Sequence, residues 1–154
     1  MDVYKVMEEK GVVLPPPPAR GGNYALVTRT GNLLFTSGQV PRKDGALLKK
    51  GKLGGEVSVE EGYQLARACT LNALAAISQT AGSLNAVTKI VKATIFVSSA
   101  PDFFGQAKVA NGATDLLVEL FGAGIGLPAR SAVGMAALPG DAPCEVELIV
   151  EVKS

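Results

Sequence analysis

The chain has 154 residues, of which 47% are hydrophobic, a formal charge of +1 and no histidine; its mean hydropathy is +0.27 and its pI about 7.7. That length predicts one domain over residues 1–154 with a substantial core, and the near-neutral charge argues against a general nucleic-acid or anionic-membrane binder. The apolar surplus points to surface buried between subunits, because no stretch reaches the ~18 uninterrupted apolar residues of a membrane-spanning helix.

The opening "MDVYKVMEEKG" carries acids and lacks an apolar h-region, so it is expected to be no signal peptide and the protein to be cytoplasmic. It predicts a short amphipathic helix from Asp2 to Lys10, stopped by Gly11. In "LPPPPARGGNY", four consecutive prolines force an extended, polyproline-like arm. Residues 1–23 therefore read as a helix and an arm preceding the main body. "YALVTR" and "NLLFTSGQV" flank the turn signal "TGN" and predict a β-hairpin. The Gly-rich, basic stretch "PRKDGALLKKGKLGGE" reads as a surface loop or an irregular hairpin.

Ser58 and Glu61 form a capping box that opens a helix running to about Thr80. Gly62, Ala66, Cys69, Ala73 and Ala76 share one side of it, a small-residue face that lets a helix lie close on a sheet. "GSLNAV" predicts a helical turn capped by Ser83, and "KIVKATIFVSS", rich in β-branched residues, a strand. A second helix is expected from about Phe104 to Phe121, ending at Gly122. "RSAVGMA" and "CEVELIVEV" are the last two strands, joined by "LPGDAP". In the final strand Cys144, Val146, Leu148, Val150 and Val152 point one way, and Glu145, Glu147, Ile149 and Glu151 the other. The second face is either solvated or a seam against other subunits.

The order ββ, helix, β, helix, ββ predicts an α+β sandwich with one mixed sheet and two main helices on one face. Cys69 and Cys144 lack metal-ligand spacing and read as buried small hydrophobes in a reducing compartment, without a disulfide. Neither a metal nor a cofactor is expected. Arg42, Lys43, Lys49, Lys50 and Lys52 make one basic loop, opposed locally by Asp44. It lacks interleaved aromatics for base stacking and reads as a solvated loop, although it leaves RNA open as a partner. Arg130 is a permanent cation at the mouth of an apolar run. It reads either as a salt bridge to Glu145 or Glu147, of the same or a neighbouring chain, or as the anion hook of a small-molecule site.

Three segments, "GNLLFTSGQVP", "DFFGQAKVANGA" and "LPARSAVGMAALPGDAPCEVE", stand in an order and spacing that resemble the RidA/YjgF family, also called the endoribonuclease L-PSP family. The resemblance spans about Tyr24 to Val152. It implies a chorismate-mutase-like α+β fold and a homotrimer with ligand clefts between neighbouring subunits. It also implies hydrolysis of reactive 2-imino acids, formed from their enamine tautomers, to 2-keto acids and ammonia. An older label for relatives is a ribonuclease that inhibits translation. By the same resemblance Arg130 in "PAR" grips the substrate carboxylate, Tyr24 lines the cleft, and Gly38 in "SGQ" offers its backbone to the ligand. Asn111 in "VANGA" is a cleft asparagine, and Glu145 in "CEVE" orients water. Two positions depart from the deaminase pattern: Ala132 stands where a cysteine is common and Gly134 where an acid is common. The chain is also longer, in the amino-terminal arm, the basic loop and "FGAGIG", as in a sister branch.

The chemistry is consistent with these residue types. A 2-imino acid offers a planar carboxylate, which arginine binds through two parallel N–H···O bonds and lysine cannot. Protonated imines hydrolyse readily, so a catalyst needs to hold the substrate and present water, and one carboxylate can orient or deprotonate that water. RNA cleavage without metal would need an acid and a base near neutral pH, a task histidine usually fills. The nuclease reading is therefore the alternative, together with a non-catalytic trimer that binds carboxylates through Arg130 and has no use for Glu145.

Overall fold

The computed structural model describes residues 1–154. Helix α1 (Val3–Lys10) begins where the Asp2 carboxylate accepts from the Tyr4 amide, and it stops at Gly11, whose φ of 64° costs glycine little. The helix folds back on its own chain. Val3 and Met7 are buried in the core, and the Val3 amide donates to Asn85 Oδ1 at 2.8 Å. Tyr4 Oη bonds the Ser78 hydroxyl and accepts from the Leu84 amide, both at 2.9 Å. Val12 and Leu14 also pack against the core, so the segment entering the prolines lies on the body of the chain.

The predicted hairpin is present as β1 (Val27–Thr30) and β2 (Leu33–Thr36), with Thr30 paired to Leu33 across the turn. The basic loop is an irregular hairpin, β3 (Arg42–Lys43) against β4 (Ala46–Leu47). Asp44 and Gly45 turn it with positive φ. The capping box closes in both directions: the Glu61 amide donates to Ser58 Oγ, and the Ser58 amide donates back to the Glu61 carboxylate. From it runs α2 (Val59–Ala81). A turn of 3-10 helix, Leu84–Ala86, follows with Ser83 as its cap, then β5 (Val87–Ser98), α3 (Gln106–Gly126), β6 (Ala129–Met135) and β7 (Cys144–Val152). Helix α3 starts two residues later than predicted. Its regular part does stop at Gly122 (φ 72°, ψ 163°), and "GAGIG" adds one further helical turn.

The five long strands form one mixed sheet in the order β1-β2-β7-β5-β6, with α2 and α3 on one face. Only β5 and β6 are parallel; α3 joins them, as the crossover between parallel strands requires. Leu34, Ile95, Val97, Val146, Leu148 and Val150 turn inward and lose all or nearly all contact with solvent. Each such side chain contributes about 1.5–3 kcal/mol by leaving water. Gly62, Ala66, Cys69, Ala73 and Ala76 are all buried, as the small-residue pattern predicted. The helices approach each other closely at Gly112 of α3, where a methyl would lie 2.0 Å from the Tyr63 carbonyl oxygen of α2. Cys69 and Cys144 are free and buried, with their sulfurs 3.6 Å apart. Burial first, then the neighbouring Cys144, pushes the Cys69 thiol well above its ordinary range.

The other face of the sheet carries no helix. Glu145, Glu147, Ile149 and Glu151 lie there, as their alternation predicted, alongside Lys92, Thr94 and Phe96 of β5. Phe35 and Val133 on the same face are 37% and 38% exposed. This surface is part apolar and part charged, and nothing in the chain covers it.

Candidate functional site

Arg130 is the second residue of β6, the edge strand, and pairs with Ala93, which in turn pairs with Leu148. That row is the helix-facing side of the sheet, so the Arg130 side chain leaves the edge towards α3. There Nη1 donates to Asn111 Oδ1 at 2.7 Å and to Thr114 Oγ1 at 3.2 Å. Asn111 and Thr114 are three residues apart, hence neighbours on one helical face. A guanidinium nitrogen has two hydrogens and no acceptor, so Nη1 is fully used. The edge formed by Nε and Nη2 remains. It points directly away from the Cζ–Nη1 bond, because the group is planar and trigonal. That edge holds two parallel N–H groups, the arrangement that matches a carboxylate.

Both groups that hold Arg130 are neutral. The chain's salt bridges are Lys49–Glu61 at 2.6 Å and Arg67–Glu119 at 3.1 Å, and Arg130 is in neither. The ion pair with Glu145 or Glu147 considered from sequence does not form within one chain. No carboxylate of the chain pairs with this half-buried cation.

Glu145 sits elsewhere. It pairs with Phe96, on the face away from the helices. Relative to Arg130 it lies across two strand spacings, roughly 10 Å, and three residues along, again roughly 10 Å. The two side chains thus point to opposite faces, and no small molecule touches both in one copy. Burial, and secondarily the charge of Glu147, raises the Glu145 carboxyl above its ordinary value, and no hydrogen bond from the chain offsets this.

Gly38 belongs with Glu145. Thr36, Ser37 and Gly38 span a stretch of β2 that only Glu147 and Leu148 fill on β7, between the Phe35↔Ile149 pair and the Gln39↔Val146 bridge. In this bulge the Leu148 amide donates to the Thr36 hydroxyl at 2.9 Å instead of to a carbonyl. A methyl on Gly38 would lie 2.0 Å from Glu145 Oε1. The glycine therefore makes room for the carboxylate. Tyr24 stands at the same end of the sheet, just before β1, where the Ser37 hydroxyl donates to the Ala25 carbonyl at 2.6 Å. It is 47% exposed. Its ring lies over Gly21 and Gly22, and its phenol oxygen accepts from the Gly21 amide at 3.1 Å. The phenol hydrogen stays available to a ligand.

The five residues singled out from sequence thus form two groups: Arg130 with Asn111, and Glu145 with Gly38 and, nearby, Tyr24. Sequence reasoning missed Thr114, although its spacing from Asn111 was the available signal. It also missed Gln106. A methyl on Gly134 would lie 2.9 Å from Gln106 Nε2, and that amide donates to Ser99 Oγ at 3.2 Å and to the Phe103 carbonyl at 2.9 Å. The space an acid at 134 would use is taken by this neutral amide. Ala132 packs against the core.

The basic loop is largely occupied with its own chain. Lys49 holds Glu61, lowering that carboxyl to about 2 together with the Ser58 amide. Lys52 donates to the Ala136 carbonyl, and Arg42 to the Gly45 carbonyl at 3.2 Å. No three His, Cys, Asp or Glu side chains come together as metal ligands do, and no helix is long and apolar enough to cross a membrane.

Against known proteins, residues 6–152 match the family described as YjgF/chorismate mutase-like, putative endoribonuclease. Protein TCP17 of Trypanosoma cruzi is 39% identical over 148 residues, covering 96% of this chain and 92% of that one. The crystal structure of a putative endoribonuclease from Shewanella oneidensis has a TM-score of 0.94 at 33% identity, covering 99% of this chain and 100% of the other. That coverage extends the likeness to the amino-terminal helix and arm. Escherichia coli TdcF with bound serine has a TM-score of 0.61 at 28% identity, covering 92% of this chain and 94% of its own.

Proposed function

Because the chain belongs to the YjgF/chorismate mutase-like family, we propose that it hydrolyses small 2-imino acids to 2-keto acids and ammonia, in clefts shared by neighbouring copies of a homotrimer. The observation that carries this reading is Arg130: a half-buried, unpaired guanidinium held on Nη1, with its carboxylate-matching edge turned away from Asn111 and Thr114 and bonded to nothing in its own chain. The serine bound to TdcF, a small amino acid with a free carboxylate, supports the ligand class.

In this mechanism the Nε/Nη2 edge takes the substrate carboxylate and fixes the plane of the adjacent C=N bond. Glu145 of the next copy faces that bond and holds a water. As the water oxygen attacks the imine carbon, Glu145 accepts its proton; the carbinolamine forms and Glu145 returns the proton to nitrogen. The C–N bond then breaks while the hydroxyl proton passes to the departing ammonia, so one protonated imine and one water give one 2-keto acid and one ammonium. A carboxyl with a raised pKa suits both halves of this exchange better than an ordinary glutamate. Gly38 leaves space beside the carboxylate, and Tyr24 donates its phenol hydrogen from the cleft wall.

The test is subunit complementation. Arg130→Ala and Glu145→Ala chains, each inactive alone in semicarbazide-trapping assays with 2-aminoacrylate, are co-expressed in equal amounts. A trimer with Arg130 and Glu145 drawn from different copies regains about a quarter of wild-type activity, since one cleft in four combines both intact residues. No recovery rules out the shared cleft, and full activity of Arg130→Ala rules out the mechanism.

RNA cleavage is the second reading, favoured by the family's description and that of the Shewanella structure. It is checked with labelled single-stranded RNA and protein purified to constant specific activity. Cleavage that persists in Arg130→Ala and falls in a Lys43→Ala/Lys50→Ala variant would support it.

A further inference from the structure

We infer that Thr114 is a positioning residue that aims the Arg130 fork, an assignment that rests on the carboxylate-binding reading of Arg130. Arginine carries no acceptor, so the 3.2 Å contact has one sense: Nη1 donates and Thr114 Oγ1 accepts. The threonine's own hydrogen is turned to the Ala110 carbonyl at 3.5 Å, one helical turn back, which leaves a lone pair towards the arginine. With Asn111 alone as acceptor, the guanidinium plane could swing about a single N–H···O bond. Two acceptors on the two hydrogens of one planar nitrogen fix that plane, and with it the direction of the Nε/Nη2 edge.

The two holders are not equivalent. Asn111 is exposed at the end of a rotatable side chain, whereas Thr114 is half-buried and β-branched, with few rotamers open to it in a helix. Asn111 supplies the shorter bond; Thr114 supplies the rigid one. The resemblance to known relatives singled out the asparagine and gave the threonine no role. Both are neutral, so the clamp orients the cation without spending its charge.

The experiment measures binding of 2-oxobutanoate, a 2-keto acid product analogue, by titration calorimetry to the assembled protein. Thr114→Val keeps the shape and removes the acceptor. We expect its Kd to rise at least about tenfold, the lower end of the loss for one hydrogen bond to a charged group, with an unchanged melting temperature. Thr114→Ser keeps the acceptor and should bind within about threefold of wild type. Steady-state kinetics on the same proteins should place the Thr114→Val defect mainly in KM, with kcat falling less, because the water-holding Glu145 is untouched. Wild-type affinity in Thr114→Val overturns the inference, as does Thr114→Ser binding as weakly as Thr114→Val. Thr114→Ala repeats the test should the valine variant not fold. Arg130→Ala separates the two claims: if it still binds 2-oxobutanoate, the carboxylate reading itself fails, whereas loss of binding there with normal binding in Thr114→Val refutes only the role of Thr114.

Discussion

Replacing Gly38 by alanine tests whether the glycine exists to admit Glu145. The added methyl would lie 2.0 Å from Oε1, 2.7 Å from Cδ and 3.0 Å from Cγ. Turning the carboxylate about its last bond does not clear a contact that reaches Cγ, so the whole side chain must swing off its present site on β7. Overpacking of this kind costs about 1–3 kcal/mol, partly offset by about 0.4–1 kcal/mol from the stiffer unfolded chain. The net loss, up to about 2.6 kcal/mol, lowers Tm by up to about 10 °C for a chain of this length. In a Glu145→Ala background the obstacle is gone and only the unfolded-state gain remains, so Gly38→Ala should leave Tm unchanged or raise it. The four proteins of this cycle, unfolded by heat and urea at one protein concentration, should give a coupling of about 1–3 kcal/mol. Equal destabilisation in both backgrounds would mean that the backbone of the bulge, and not the carboxylate, requires glycine.

Glu145→Gln should keep affinity for 2-oxobutanoate and lose turnover, which a non-catalytic carboxylate binder would not do. Because folding raises the Glu145 pKa, the acid limb of wild-type kcat/KM should lie at a higher pH than an ordinary glutamate would give, and disappear in the residual activity of Glu145→Gln. The same raised pKa means the native state binds the extra proton. Stability should then decline as pH rises from the unfolded value through the folded one, and Glu145→Gln should flatten that decline in urea titrations. Gly112→Ala sets a methyl 2.0 Å from a backbone oxygen of α2, which no rotamer relieves. It should destabilise by more than about 3 kcal/mol by parting α2 from α3, and weaken 2-oxobutanoate binding because α3 carries Asn111 and Thr114. A Tm within 2 °C of wild type would contradict the close approach.

Elements whose cause is local were legible in the sequence. The Ser58–Glu61 box, the Gly11 stop, the break at Gly122 and the alternation in the last strand are each decided by a few adjacent residues. Element order then gave the α+β sandwich, because two amphipathic helices have one place to bury their apolar faces. What was not legible depends on lateral register. Nothing in "PAR" or "CEVE" says that Arg130 falls in the row of buried Ala93 while Glu145 falls in the row of outward-facing Phe96. Gly134 read as a missing acid, and its reason, the Gln106 amide, lies twenty-eight residues away in sequence and touches it only through the fold. The proline arm had no periodicity from which to place it; its location follows from Val3, Met7, Val12 and Leu14, which find the core.

The division of the site has a consequence for assembly. One chain offers a cation edge beside α3 and a carboxylate on the opposite, uncovered face of the sheet. Since the two do not meet in one copy, the proposed mechanism requires that the carboxylate face of one chain meet the cation edge of another. Such a contact joins unlike patches, so each chain has one of each left to satisfy, and repetition either closes into a ring or grows without end. The part-apolar sheet face, with Phe35 and Val133 open to solvent and Glu145 already half-desolvated, is the surface that gains from burial in that contact. Closure leaves no face unpaired, and in the trimer proposed above it would make three equivalent clefts. Under the proposed mechanism a closed ring would complete every Arg130 with a Glu145, and mixed Arg130→Ala and Glu145→Ala chains test whether the two residues come from different copies.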